Sequence, residues 1–152
     1  MKNGFYIIND FDAIDALELD ELTFKVVLEG TKMKDIASFH QELQLKLEIP
    51  DYFGKNWDAL SEVLNDLSWL DFDNFVIMIR DYDSLLADEE FEQKSEFLCI
   101  LDDTMDEWEN VPNYEGEEET RSKSLFCVHV AQNTQIVEEL ILLELDNSIV
   151  AD

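Results

Sequence analysis

The chain has 152 residues, enough for a single domain spanning 1–152 with a core that needs no covalent staples. Hydrophobic residues make up 46% and phenylalanine occurs ten times, which excludes a disordered acidic tail. Against 10 Lys and Arg stand 37 Asp and Glu, a formal net charge of −27, far outside the roughly 2 to 8 at which small domains are comfortable. Such a surface repels nucleic-acid phosphates and anionic membranes and favours a basic partner.

In chain order, Phe5 to Ile8 is a candidate short strand. The opening stretch MKNGFYIINDFDAID has only four apolar residues before its acids, so it does not read as a signal peptide. No run approaches the ~18 apolar residues of a membrane span, and the expected location is the cytoplasm. Ala13 to Leu22 is acidic with alternating leucines, and its state is left open. Phe24 to Leu28, FKVVL, reads as a buried strand closed by Gly30. From Lys34 to Ile49, Ile36, Phe39, Leu43 and Leu47 recur at helical spacing, and Pro50 stops the helix. A tight connection with Gly54 leads to a second helix, Trp57 to Leu67. Phe75 to Ile79 reads as a strand and Asp81 to Leu86 as a helical turn. A long helix from Phe91 to Trp108 follows, with Phe97, Leu98, Leu101, Met105 and Trp108 on one side. Pro112 to Lys123, which contains EGEEE, reads as an exposed loop. Leu125 to Val130 is another apolar strand, and Thr134 to Leu145 a final helix. Strands separated by helices predict an α/β fold with a parallel sheet.

The second helix carries the chemistry. Asp58, Glu62 and Asp66 stand at i, i+4 and i+8 and share one face, while Leu60, Val63, Leu64 and Leu67 form a core stripe nearly opposite. Three like charges in a row weaken a helix. By periodicity alone such a row is as compatible with a plain solvated face as with a binding surface.

The stretch HQELQLKLEIPDYFGKNWDALSEVL, His40 to Leu64, resembles the barstar family of ribonuclease inhibitors. The most specific part is P-x-Y-[YF]-G-x-N-x-D-A-L, met by Pro50, Tyr52, Phe53, Gly54, Asn56, Asp58, Ala59 and Leu60. The resemblance spans about 24–130 and treats 1–23 and 131–152 as extensions. It implies a small three-stranded parallel sheet covered by helices, with N- and C-terminal extensions. It also implies that the second helix, with the segment before it, plugs the active site of a small basic ribonuclease. By position, Tyr52 and Gly54 fall in the contact segment, and Asp58 and Glu62 on the two acidic helix contacts, the second being Asp in the type member. Asp103 is the corresponding acid on the long helix, with Asp102 or Asp106 as alternatives. Ser61 stands where the type member has Trp, and Asp66 adds a charge; both imply a different partner surface.

A row of fixed carboxylates can occupy a ribonuclease's cationic pocket as a phosphate mimic through charge-assisted hydrogen bonds. Enzymatic activity is not expected: there is no phosphate loop or nucleophile motif, and Asp102 and Asp103 point about 100° apart on a helix. No cofactor is implied. The Cys99 and Cys127 contexts suggest buried free thiols, and EGEEE lacks the spacing of a specific metal site. His40, His129 and Trp57 read as packed residues, as do Trp69 and Trp108. Two other readings of the acidity remain: a nucleic-acid mimic that sequesters a basic DNA- or RNA-binding protein, and adaptation to salt.

Overall fold

The computed structural model describes residues 3–8, 22–50, 54–109, 125–131 and 133–150. Its centre is a parallel sheet of β1 (Phe5–Ile8), β2 (Thr23–Glu29), β3 (Asn74–Arg80) and β4 (Phe126–Ala131), in the order β1-β4-β3-β2. β3 and β4, NFVIMIR and FCVHVA, are buried at five successive positions each. Continuous apolar runs of this kind mark strands covered on both faces. β2 lies at an edge, where Val26 and Leu28 are buried while Lys25 and Val27 are half-buried.

The sheet has four strands, not the three implied by the resemblance. β1 adds itself beyond β4, with Phe5 opposite Val128 and Tyr6 opposite His129. The residues before the chain's second strand thus contribute to the sheet itself. A four-residue run says nothing of a partner more than a hundred positions away, so only tertiary pairing places it. The chain end closes over it: Ile149 bridges Phe5, and Val150 N–H donates to Phe5 O at 2.8 Å. Gly4, at φ +154, allows this approach, because a Cβ there would collide with Ser148 O and the Val150 side chain.

Helices α1 (Ile36–Lys46), α2 (Trp57–Asp66), α3 (Phe91–Glu109) and α4 (Thr134–Leu142) complete the described regular structure, with short 3₁₀ turns between. One core joins Val26, Leu28, Ile77, Ile79, Val128 and Val130 of the sheet to helix residues such as Phe39, Leu60, Leu64, Phe97, Leu101 and Leu140. The other sheet face holds Val76, Met78 and Cys127, with His129 stacked on Tyr6 at 4.6 Å between ring centroids. The Cys127 thiol is pushed up to about 12 by burial and stays protonated, as an inert core cysteine should. Cys99, expected to be buried, is only half-buried, because it sits toward the outer side of α3.

α1 starts where the Asp35 carboxylate accepts from Ser38 N–H at 2.7 Å. It ends at Lys46, sooner than Pro50 alone would require. Glu48 takes a left-handed conformation (φ 53) and Ile49 N–H returns to Gln44 O, closing the helix end. α4 is tied in by charge as well as by packing. Glu139 pairs with Lys94 of α3 at 3.1 Å, with side chains 9% and 6% exposed. The Tyr82 hydroxyl donates to the other Glu139 oxygen at 3.3 Å, and Lys94 Nζ lies 4.7 Å from the Tyr82 ring centre. Burial, reinforced by the Glu139 charge, holds the Tyr82 phenol far above its ordinary range, so it remains a donor.

Candidate partner-binding site

The site is built on α2. Its first orphan amides are met by Asn56, whose side-chain oxygen accepts from Ala59 N–H at 2.8 Å. Asp58 in the first turn faces the positive end of the helix. Leu60, Val63 and Leu64 are buried, and Asp58, Glu62 and Asp66 are exposed, so the sequence pattern and the packing agree. Among the described residues none of the three carboxylates is in an ion pair. The row therefore presents three exposed carboxylates that no described cation neutralises by direct pairing.

Left-handed residues flank α2: Lys55 (φ 53) before it and Leu67 (φ 51) at its C-terminal cap. Such backbone costs on the order of 1 kcal/mol or more for a non-glycine residue. Leu67 is held there by a side chain that is 2% exposed, and its N–H bonds Val63 O at 3.1 Å. Gly54 is exposed, and a Cβ there would meet only Asn56 Nδ2 at 3.2 Å and Ala59 Cβ at 3.4 Å. Its space is snug but not closed, which leaves bare backbone beside the acidic row.

Three indoles clamp this region. Trp57 Nε1 donates to Gln93 Oε1 at 2.9 Å, Trp108 Nε1 to Leu64 O at 3.0 Å and Trp69 Nε1 to Leu47 O at 3.0 Å. The packed reading of the tryptophans holds: Trp108 is buried and the other two are half-buried. Their hydrogen-bonding partners were missed. The signal available was that a buried indole N–H needs an acceptor, but sequence does not say which one. Ser61 is half-buried, and its carbonyl accepts from Asn65 Nδ2 at 2.9 Å.

Asp103 is exposed on α3 and lines a cavity of about 310 Å³ with Asp102, Asp106, Glu109 and Ser148. Partial burial, then Asp102, Asp106 and Glu107, raise its carboxyl above the usual range. The charges acting most strongly on Asp103 thus come from its own helix, and it belongs to a second acidic cluster on α3, whose cavity is lined by α3 and by residues 3–4 and 147–148 rather than by α2. Asp102 is half-buried and accepts from the Ser148 hydroxyl. Tyr52 lies outside the described residues, as do Ala13 to Asp20 and the whole EGEEE loop. Among the described residues, no group of three His, Cys, Asp or Glu side chains is placed to hold a metal ion. None of the described helices is long and apolar enough to cross a membrane.

His40 of α1 is buried at 4% exposure and packs on Trp57 at 5.5 Å between ring centroids. Burial first, then Lys55, lowers its pKa, so it stays neutral where an ordinary histidine begins to charge. With the folded pKa depressed, stability is fully present above the unfolded value near 6.5 and falls as pH drops through and below it. Comparing urea midpoints at pH 7.5 and pH 5.5, the unsubstituted protein should lose more stability, or gain less, than His40→Gln. Parallel pH dependences of the two would show that His40 carries no such linkage.

A family profile described as "Barstar (barnase inhibitor)" matches residues 23–128. A stretch of 47 residues is 38% identical to "Putative ribonuclease inhibitor YrdF" of Bacillus subtilis (strain 168); it is 31% of this chain and 50% of that protein. The match thus spans about half the length of that curated relative. Among solved structures, the chain is similar to the Aeropyrum pernix ORC2 protein (ADPNP–ADP complexes), with a TM-score of 0.54 and 12% identity over 97% of this chain and 40% of that one. At that identity the likeness shows the fold alone.

Proposed function

Because this chain belongs to the barstar family, we propose that it is an inhibitor rather than an enzyme, and that it binds a basic ribonuclease and covers its active site with α2. The observation that carries this is the exposed row Asp58, Glu62 and Asp66, in no ion pair among the described residues, on a helix whose other face is buried and whose two ends are tied to neighbouring elements. A row held in place before contact loses little conformational freedom on binding. Ribonuclease pockets present cations to phosphates, and carboxylates fixed at one helical turn apart can take the place of those phosphates. Gly54 supplies close backbone approach, and Asp103 extends the acidic surface on α3. Ser61, smaller than the Trp of the type member, leaves room for a partner surface of different shape. The biological role that fits is immunity: protection of cytoplasmic RNA against a ribonuclease made by the same cell or delivered as a toxin by a competitor.

The test is inhibition of a panel of small basic ribonucleases, with any encoded next to this chain included first, followed by association kinetics with the one inhibited. A net charge of −27 attracts a basic enzyme at long range, and salt screens that attraction within about 8 Å at physiological strength. The on-rate should fall at least roughly tenfold between low and high salt, with a much smaller change in off-rate. A salt-independent on-rate would remove the role of the acidic surface in encounter. Tight binding to a basic nucleic-acid-binding protein, with no ribonuclease inhibited, would replace the inhibitor reading with that of a nucleic-acid mimic.

A further inference from the structure

We infer that Gln93 is a positioning residue for the partner-binding face: its side-chain carbonyl holds Trp57 and, through it, the first turn of α2. This rests on the inhibitor reading above. Trp57 is the first residue of α2, between the capping Asn56 and Asp58. Its half-buried ring packs against Phe39 at 5.4 Å and His40 at 5.5 Å between centroids, both on α1. Its N–H reaches across to Gln93 Oε1, at 2.9 Å, in the first turn of α3. One side chain therefore joins three helices at the point where the acidic row begins. The approach to that point is otherwise weakly held. Lys55 is in a left-handed conformation, and Gly54, Lys55 and Asn56 are exposed. An indole nitrogen can only donate. Without the Gln93 carbonyl it must turn towards water, and the first turn of α2, which carries Asp58, loosens with it. A loosened contact segment must be ordered on binding, and that cost appears chiefly in the off-rate.

Gln93→Leu removes the acceptor, and Gln93→Glu retains one. Ile136→Val, a fully buried core residue of α4, serves as a control that lowers the melting temperature without touching the Trp57–Gln93 bond. In nitrogen–proton spectra of the free protein, Gln93→Leu should shift the Trp57 indole signal towards that of an unbonded indole. It should also speed amide exchange at Ala59 and Leu60 on the order of tenfold. With barnase as the probe partner, its Kd should rise on the order of tenfold, through the off-rate. Gln93→Glu should restore all three signals, and Ile136→Val should leave them unchanged. Unaltered exchange in Gln93→Leu, or an equal loss of affinity in Ile136→Val, would overturn the assignment. If the unsubstituted protein does not bind barnase, the inhibitor reading loses ground for that enzyme, and the assignment stands or falls on the indole and exchange signals alone.

Discussion

Replacing Asp58 and Glu62 together by alanine is expected to abolish tight inhibition while leaving the fold in place. Both carboxylates are exposed, and among the described residues neither is in an ion pair, so no described internal ion pair is lost with them. Losing Asp58 from the first turn removes a favourable helix-end interaction of about 0.3–1 kcal/mol. Losing both relieves the repulsion along the Asp58–Glu62–Asp66 row, which acts in the opposite direction. The folded chain should therefore melt within a few degrees of the unsubstituted one. The complex is another matter. Truncating one member of a buried, hydrogen-bonded charge pair costs about 2 to 5 kcal/mol, much of it from the partner cation left desolvated and alone. Two such losses raise Kd on the order of a thousandfold or more. Calorimetric titration against the cognate ribonuclease checks this, with circular dichroism as the test of folding. Affinity within tenfold of the unsubstituted chain would move the interface off α2.

The second large effect is on stability. Glu139→Leu leaves Lys94 in a site where its side chain is 6% exposed and also removes the acceptor of the Tyr82 hydroxyl. Breaking a buried pair from one side costs about 3–5 kcal/mol, because the orphaned charge keeps its desolvation penalty. Replacing both members, Lys94→Met with Glu139→Leu, removes that penalty and should recover most of the loss. Urea denaturation of the two single variants and the double variant forms the cycle. A double variant no more stable than Glu139→Leu would show that the pair is not what holds α4 to α3. α4 lies outside the matched residues 23–128 and carries none of the acidic row. Whatever fraction of Glu139→Leu is folded should therefore bind the ribonuclease with unchanged affinity, in contrast to the Asp58 and Glu62 variant.

The two predictions differ in how far each was legible in the sequence. The acidic row and the stripe opposite it are properties of one ten-residue helix. Helical periodicity is local, so the spacing of Asp58, Glu62 and Asp66 against Leu60, Val63 and Leu64 already divides that helix into two faces. The same holds for β3, whose unbroken apolar run announces a strand covered on both sides, for β4, whose apolar run is interrupted only by His129, and for the P-x-Y-[YF]-G-x-N-x-D-A-L motif that carries the family. Lys94 and Glu139 stand 45 positions apart, and each alone reads as one more surface charge. Only the packing of α3 against α4 makes them a buried pair. The Gln93 acceptor for Trp57 and the Leu64 carbonyl for Trp108 belong to the same class. So do the left-handed backbone of Lys55 and Leu67 and the addition of β1 beside β4. Which residues face inward along an element follows from its repeat and was determined by the sequence itself. Which partner each inward group meets depends on how elements far apart in the chain dock, and buried polar groups must find partners there whatever their sequence distance; that was decided by the tertiary structure.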